Sequence, residues 1–253
     1  MIAVRGIHGQ TVDRLGSDIV AGVYAPGTSL PAEPLLCGLM GVSRTVVREA
    51  VKALIGKGLV SSGPKVGTRV LPEENWNWFD ADVIGWQARA GLSIGFLEDL
   101  QDLRGAVEPA AVRLAAVRAT ADDIAELESA YEGMRSAVAE GGDYITPDLR
   151  FHQGLIRSSH NRLLAQMSRA LGALLRTSFE ISTARREGPA GALPLHRAVL
   201  DGVIARDPVR AERAVRMLIE GAGEDIRSVL ATRVGVPRID TAGTVLVARR
   251  DRL

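Results

Sequence analysis

The chain has 253 residues, 46% of them hydrophobic and 24% charged, with a formal net charge of +1. That length suits two domains, each able to bury a core, and the composition excludes a disordered or collagen-like chain. No apolar run approaches the about 20 residues of a membrane span and the opening residues lack the apolar core of a signal peptide, so a cytoplasmic protein is expected. Charge is unevenly spread: residues 1–72 carry eight Lys/Arg against four acids, the remainder 23 against 26. Such asymmetry suits a first domain that meets a polyanion and a second that does not.

From Thr11 to Val23, Val12, Leu15, Ile19 and Val23 recur at helical spacing, and Pro26-Gly27 closes the segment. A second short helix follows Pro31, with Leu35, Leu36, Leu39 and Met40 expected inward and Gly41 as its stop. Cys37, the single cysteine, excludes an intrachain disulfide, and its apolar neighbours favour a buried free thiol. The third helix starts at the N-cap Ser43 and offers Val47, Ala50, Val51 and Leu54 to a core. Arg44, Arg48 and Lys52 lie at i, i+4 and i+8 on another face. Two β-prone pieces, near Leu59–Ser61 and Thr68–Leu71, flank Gly63-Pro64-Lys65-Val66-Gly67 and read as a hairpin with a basic tip.

Three short helices and a hairpin, with a tight turn at Gly41, spell a winged helix-turn-helix that lays its third helix in the major groove of DNA. Arginine forks to guanine edges and Thr45 can meet a base or phosphate, while Lys52, Lys65 and Arg69 act as charges towards phosphates. A solvated helix beside an ordinary hairpin is the plainer alternative. The motifs then become specific. Pro26-Gly27, Leu30-Pro31 and Glu33, then Gly41 to Thr45 with Val47 to Ala50, then Leu54 with Lys57 to Val60, then Gly67, Thr68 and Val70 fall in order. This run resembles the DNA-binding domain of the GntR family of bacterial transcription regulators. The resemblance implies that Arg44, Thr45 and Arg48 contact an operator and that Gly67 shapes the wing tip. Many relatives carry an arginine where this chain has Pro34, so no DNA contact is assigned there.

Residues 73–88 form a junction holding all three tryptophans, Trp76, Trp78 and Trp86. Large flat side chains in such a stretch are expected to pin the two domains together. Its pattern of tryptophan, asparagine and aspartate resembles GntR regulators that respond to sugar acids, galactonate among them.

The second domain, residues 89–234, reads as helices throughout, giving a mainly α protein. Helices are expected over Ser93 to about Ala119, from Thr120 (a capping-box start) to Gly141-Gly142, and from a Thr146 cap with Pro147 at the first helical position to about Ser159. Further helices span about Asn161 to Ala184, Pro194 to Ala205 and Pro208 to about Arg233, with residues 186–192 as a loop. The tail, 235–253, has a β-prone Thr244–Ala248 piece.

Asp148 and His152 leave one face of a helix at i, i+4, and His196 begins another. A carboxylate and two imidazoles can bind a borderline divalent metal of the zinc, nickel or manganese class, or form an ordinary hydrogen-bonded pair with a separate histidine. Residues 97–230 resemble the FCD effector domain of the FadR branch of GntR regulators, through Asp102 to Thr120, Asp148 with Phe151-His152 and Asn161, and His196 to Glu212. In that domain one Asp and three His hold a metal at an effector cavity. The resemblance maps Asp148, His152 and His196 onto three of them and places Leu218 where the fourth histidine belongs. It also makes Arg104 and Asn161 effector contacts; an internal ion pair with Glu108 is the equal alternative for Arg104.

The expected protein is therefore a homodimeric regulator, more a repressor than an activator, that binds an inverted-repeat operator in double-stranded DNA and is released by a small carboxylate such as a sugar acid. The rivals are a metal-responsive regulator, a non-specific DNA binder, and a metal-dependent enzyme, since two His and a carboxylate also serve non-haem iron oxygenases.

Overall fold

A computed structural model of the chain describes residues 6–64, 66–183 and 188–233. Lys65 and the β-prone tail piece lie outside the described residues. The chain divides into two compact units, Met1–Leu92 and Ser93–Leu253. Among the described residues no helix is long and apolar enough to cross a membrane.

In the first unit, α1 (Ile7–Val20) buries Val12, Leu15 and Ile19, one stripe of a 3.6-residue period. Val23 lies beyond the helix and is exposed. The eight-residue α2 (Glu33–Met40) ends at Gly41, whose φ of 65° turns the chain into α3 (Arg44–Gly56). The expected inward face of α2 needs correction. Leu36 is buried, but Leu35 and Leu39 are 57% and 55% exposed. Leu36 and Met40 form one stripe and Leu35 and Leu39 another, about 100° away, and a helix this short seats only one. Cys37 is half-buried with a free thiol.

Ser43 caps α3 by accepting a bond from the Val46 amide, and Val47, Ala50 and Leu54 form the buried back. The chain then passes Gly58 at φ +75°, where a Cβ would sit 2.1 Å from the Asn75 carbonyl oxygen, so only glycine fits. Strands β1 (Val60–Gly63) and β2 (Gly67–Val70) pair antiparallel in the register Val60 to Val70 and Gly63 to Gly67. Thr28 and Leu30 add backbone hydrogen bonds to β2. Three helices and a two-stranded wing are the winged helix-turn-helix expected.

The junction folds onto this same unit. Trp76 is buried in its core, Trp78 packs 5.5 Å from it, and α4 (Ala81–Ala90) buries Trp86 against α1. The Trp86 ring occupies the place a side chain at Gly16 would fill, and its Nε1 donates to Asp13 Oδ1 at 2.8 Å. Lys57, at the end of α3, lies 2.8 Å from carboxylate oxygens of both Asp80 and Asp82 at the start of α4. Trp76 and Trp86, expected from the sequence to bridge two domains, are buried within the first unit's own core.

The second unit is a helical bundle: α5 (Ile94–Arg118), α6 (Ala121–Glu140), α7 (Ile145–Arg157), α8 (Arg162–Ser182), α9 (Gly188–Ile204) and α10 (Pro208–Arg233). Its core joins Val112 of α5, Leu127 and Met134 of α6, Phe151 and Leu155 of α7, Leu200 of α9 and Val215 of α10. Thr120 and Asp123 form the anticipated capping box. Two boundaries differ from expectation. The cap of α7 comes earlier, because Asp143 Oδ1 accepts from the Thr146 amide and places Thr146 and Pro147 inside the first turn. Helix α9 begins at Gly188 instead of following a loop to 192. Pro189 lacks a donor that the first turn would leave unpaired in any case.

Candidate DNA-binding surface and ligand cavity

Burial of Val47, Ala50 and Leu54 forces the opposite side of α3 outward, so Arg44, Thr45, Arg48 and Lys52 are all exposed. Arg48 Nε donates to Glu33 Oε2 at 2.9 Å, and Lys52 Nζ lies 2.8 Å from Glu49 Oε1. Both pairs are solvent-exposed and worth little, so a phosphate or base edge can displace the carboxylates cheaply. Gly67 opens β2 with φ +75° and Arg69 is exposed on the same strand. Lys65, which the sequence places at the wing tip, lies outside the described residues.

In the second unit a cavity of about 290 Å³ lies among α5, α7, α8, α9 and α10. Arg104, Asp148, His152, His196 and Leu218 all line it. The helical spacing of Asp148 and His152 brings His152 Nε2 to 3.5 Å from Asp148 Oδ1, and α9 brings His196 Nε2 to 2.9 Å from the same oxygen. All three residues are buried, with ligand atoms within 4.8 Å of one another.

The surroundings orient both imidazoles. His152 Nδ1 lies 2.7 Å from Glu108 Oε2, and His196 Nδ1 lies 2.9 Å from the Ala192 carbonyl oxygen. Both partners are acceptors, so a proton on each Nδ1 holds its ring and turns Nε2 towards Asp148, which His196 Nε2 meets at hydrogen-bond distance. Burial would raise the Glu108 carboxyl, but Arg104 and His152 pull it down to about 2. Burial likewise opposes ionisation of Asp148, and its bond with His196, aided by His152 and Arg104, holds its pKa below the ordinary value. A carboxylate oxygen and two imidazole nitrogens therefore converge, a cluster whose shared point a proton or a cation can occupy. Orienting a metal-binding histidine through a carboxylate or carbonyl on its other nitrogen is a general device of metal sites. The donor set fits a divalent cation.

Arg104 lines the cavity, yet its Nε donates to Glu108 Oε1 at 2.7 Å and its Nη1 to Gln101 Oε1 at 3.2 Å, with the guanidinium 4.9 Å from the Phe179 ring centre. The internal ion pair weighed from the sequence is formed. Asn161 is not brought to the cavity. It caps α8, accepting from the Leu163 and Leu164 amides at 3.0 and 3.3 Å, which explains a polar residue there without a ligand. Reading the sequence missed Tyr144, Ser182 and Thr183, which also line the cavity. Tyr144 stands four residues before Asp148, a spacing that could have revealed it.

A winged helix-turn-helix with an exposed cationic helix on one unit and a helical bundle with a buried polar cavity on the other are the architecture of a transcription regulator. Residues 8–70 match the bacterial regulatory proteins of the gntR family, and residues 99–221 match the FCD domain. The galactonate operon transcriptional repressor of Escherichia coli K12 is 33% identical over 216 residues, covering 85% of this chain and 94% of that protein. The Glc operon transcriptional activator of the same organism is 27% identical over 218 residues, covering 82% of each. Among solved structures, Lar, which controls expression of the Listeria monocytogenes agr system, shares the fold with a TM-score of 0.58 at 18% identity, over 88% of this chain and 98% of that one. The chain belongs to the GntR family of transcription regulators and carries an FCD domain. Such regulators are not enzymes, so the oxygenase reading of the two histidines and carboxylate falls.

Leu218, buried and lining the cavity, holds the position where the FCD resemblance calls for a fourth ligand. Leu218→His should therefore tighten zinc or nickel retention at least about tenfold by adding an imidazole donor, read by competition with a chromogenic chelator. Unchanged retention would place the histidine out of reach of the cluster.

Proposed function

We propose that the protein is a cytoplasmic, homodimeric repressor. It binds an inverted-repeat operator through Arg44, Thr45, Arg48 and Lys52, with the wing at Gly67 and Lys65, and it is released by a sugar acid or a related hydroxylated carboxylate. The observation that carries the effector half is the buried convergence of Asp148, His152 and His196 in a cavity of ligand size. A divalent cation there would supply positive charge and open coordination positions to a carboxylate. Glu108 and the Ala192 carbonyl hold the imidazoles, while Arg104 keeps the Glu108 carboxylate charged. The galactonate repressor among the relatives supports an aldonate. Two-fold DNA sites are read by two-fold proteins, and the effector acts by binding one conformation of the dimer more tightly than the other.

The same three converging donors favour one second reading, in which the metal is itself the signal. Thermal-shift titration with sugar and organic acids, with and without zinc, nickel or manganese, separates the two, because a ligand of the native state raises the midpoint. The expected result is stabilisation by an aldonate such as galactonate and release of operator DNA by that acid. His152→Ala should abolish both responses and keep operator binding. Release by metal or chelator alone, with no response to any acid, would establish the metal-sensing reading instead.

A further inference from the structure

Three buried side-chain polar atoms among the described residues lack a hydrogen-bond partner: Tyr144 Oη, Ser168 Oγ and Ser178 Oγ. The two serines lie within helix α8, where a hydroxyl can turn towards the carbonyl a turn earlier. Tyr144 has no such recourse, because its hydroxyl sits at the end of a rigid ring that belongs to the bundle core. It is also the only one of the three residues that lines the cavity. Buried polar groups are nearly always paired in folded proteins, and an unpaired one raises the free energy of the ligand-free state.

Its position indicates what would pair with it. Tyr144 immediately precedes α7 and stands one helical turn before Asp148, so both side chains leave the same side of that helix. Burial, and after it the neighbouring Asp148 carboxylate, raise the Tyr144 pKa above that of an ordinary phenol, so the hydroxyl is neutral and both donates and accepts. A carboxylate held through a cation at Asp148, His152 and His196 would place its adjoining carbon in the cavity that Tyr144 lines.

We propose that Tyr144 is a specificity-determining contact, whose hydroxyl pairs with the hydroxyl on the carbon next to the effector's carboxylate and so selects 2-hydroxy acids over acids lacking that group. This rests on the sugar-acid reading above. It accounts for a hydroxyl where phenylalanine would pack equally well.

The test is isothermal titration of the full-length protein, with one equivalent of zinc, against D-galactonate and its 2-deoxy analogue. Wild-type protein should bind galactonate about tenfold more tightly than the 2-deoxy acid. Tyr144→Phe should weaken galactonate about tenfold, leave the 2-deoxy acid unchanged, and so erase the preference. The ligand-free variant should melt at the same temperature as wild type or higher, since an unpaired polar atom has been removed. Equal weakening of both acids, an undiminished preference, or a lower melting point of the ligand-free variant would overturn the assignment of Tyr144 while leaving the sugar-acid reading intact. Failure of both acids to bind the wild-type protein would overturn the two together.

Discussion

Glu108→Ala should lower the thermal midpoint of the second unit by about 10 °C, the largest single-residue effect expected in the protein. Glu108 is the shared partner of Arg104 and His152, and the side chains of all three are at least 96% buried. Removing it leaves a guanidinium in the bundle with Gln101 as its one hydrogen-bond acceptor among the described residues. Breaking a buried ion pair from one side costs about 3–5 kcal/mol, and for a unit of this size each kcal/mol moves the midpoint by about 2–4 °C. Glu108→Gln, which keeps an oxygen acceptor, should lose less. A differential scanning trace in which Glu108→Ala melts with wild type would mean that Arg104 finds another counter-ion.

The same carboxyl predicts an acid dependence. Held at about 2 against an ordinary value of 4.5, it contributes stability that is fully present above about pH 4.5 and lost as the pH falls towards 2. Wild type should therefore lose stability more steeply over that window than Glu108→Gln does, as read by denaturant titration at a series of pH values.

Arg44→Ala and Arg48→Ala should each weaken operator binding by about 10- to 100-fold, the loss expected when a two-pronged arginine contact of about 1–3 kcal/mol is removed. The measurement is a mobility shift on the DNA that wild-type protein selects from a random pool. Both side chains are exposed and Arg48 is held only by a surface pair with Glu33, so melting temperatures should hardly change. Lys52→Ala should act differently, lowering affinity evenly across sequences and reducing the salt dependence by about one unit of slope. Either arginine variant binding the selected DNA as tightly as wild type would remove α3 as the reading helix.

Much of this architecture was legible because helical periodicity and caps are local. Ser43, Thr120 and Gly41 mark helix ends by their own chemistry, and the back of α3 follows from the spacing of Val47, Ala50 and Leu54. What escaped depends on partners far along the chain. Two apolar stripes, Leu36 with Met40 and Leu35 with Leu39, run along α2, and only the packed unit decides between them. Glu108 orients His152 across 44 positions, a relation no spacing rule reveals. Asn161 has the residue type of a ligand contact and of a helix cap alike, and the structure gives it the second role. Asp148, His152 and His196 were recoverable because two share a helix face and family resemblance supplied the third. Tyr144 was recoverable in principle by the same helical arithmetic.

The clasp of Lys57 between Asp80 and Asp82 has a mechanical consequence. It ties the end of α3 to the first turn of α4, while Trp86 wedges α4 onto α1. The backbone that leaves α4 is the only covalent route to the second unit. Within the first unit, α3 is therefore coupled to α1 and α4 through side chains as well as through the backbone, so a displacement of α4 reaches α3 without passing along the intervening wing.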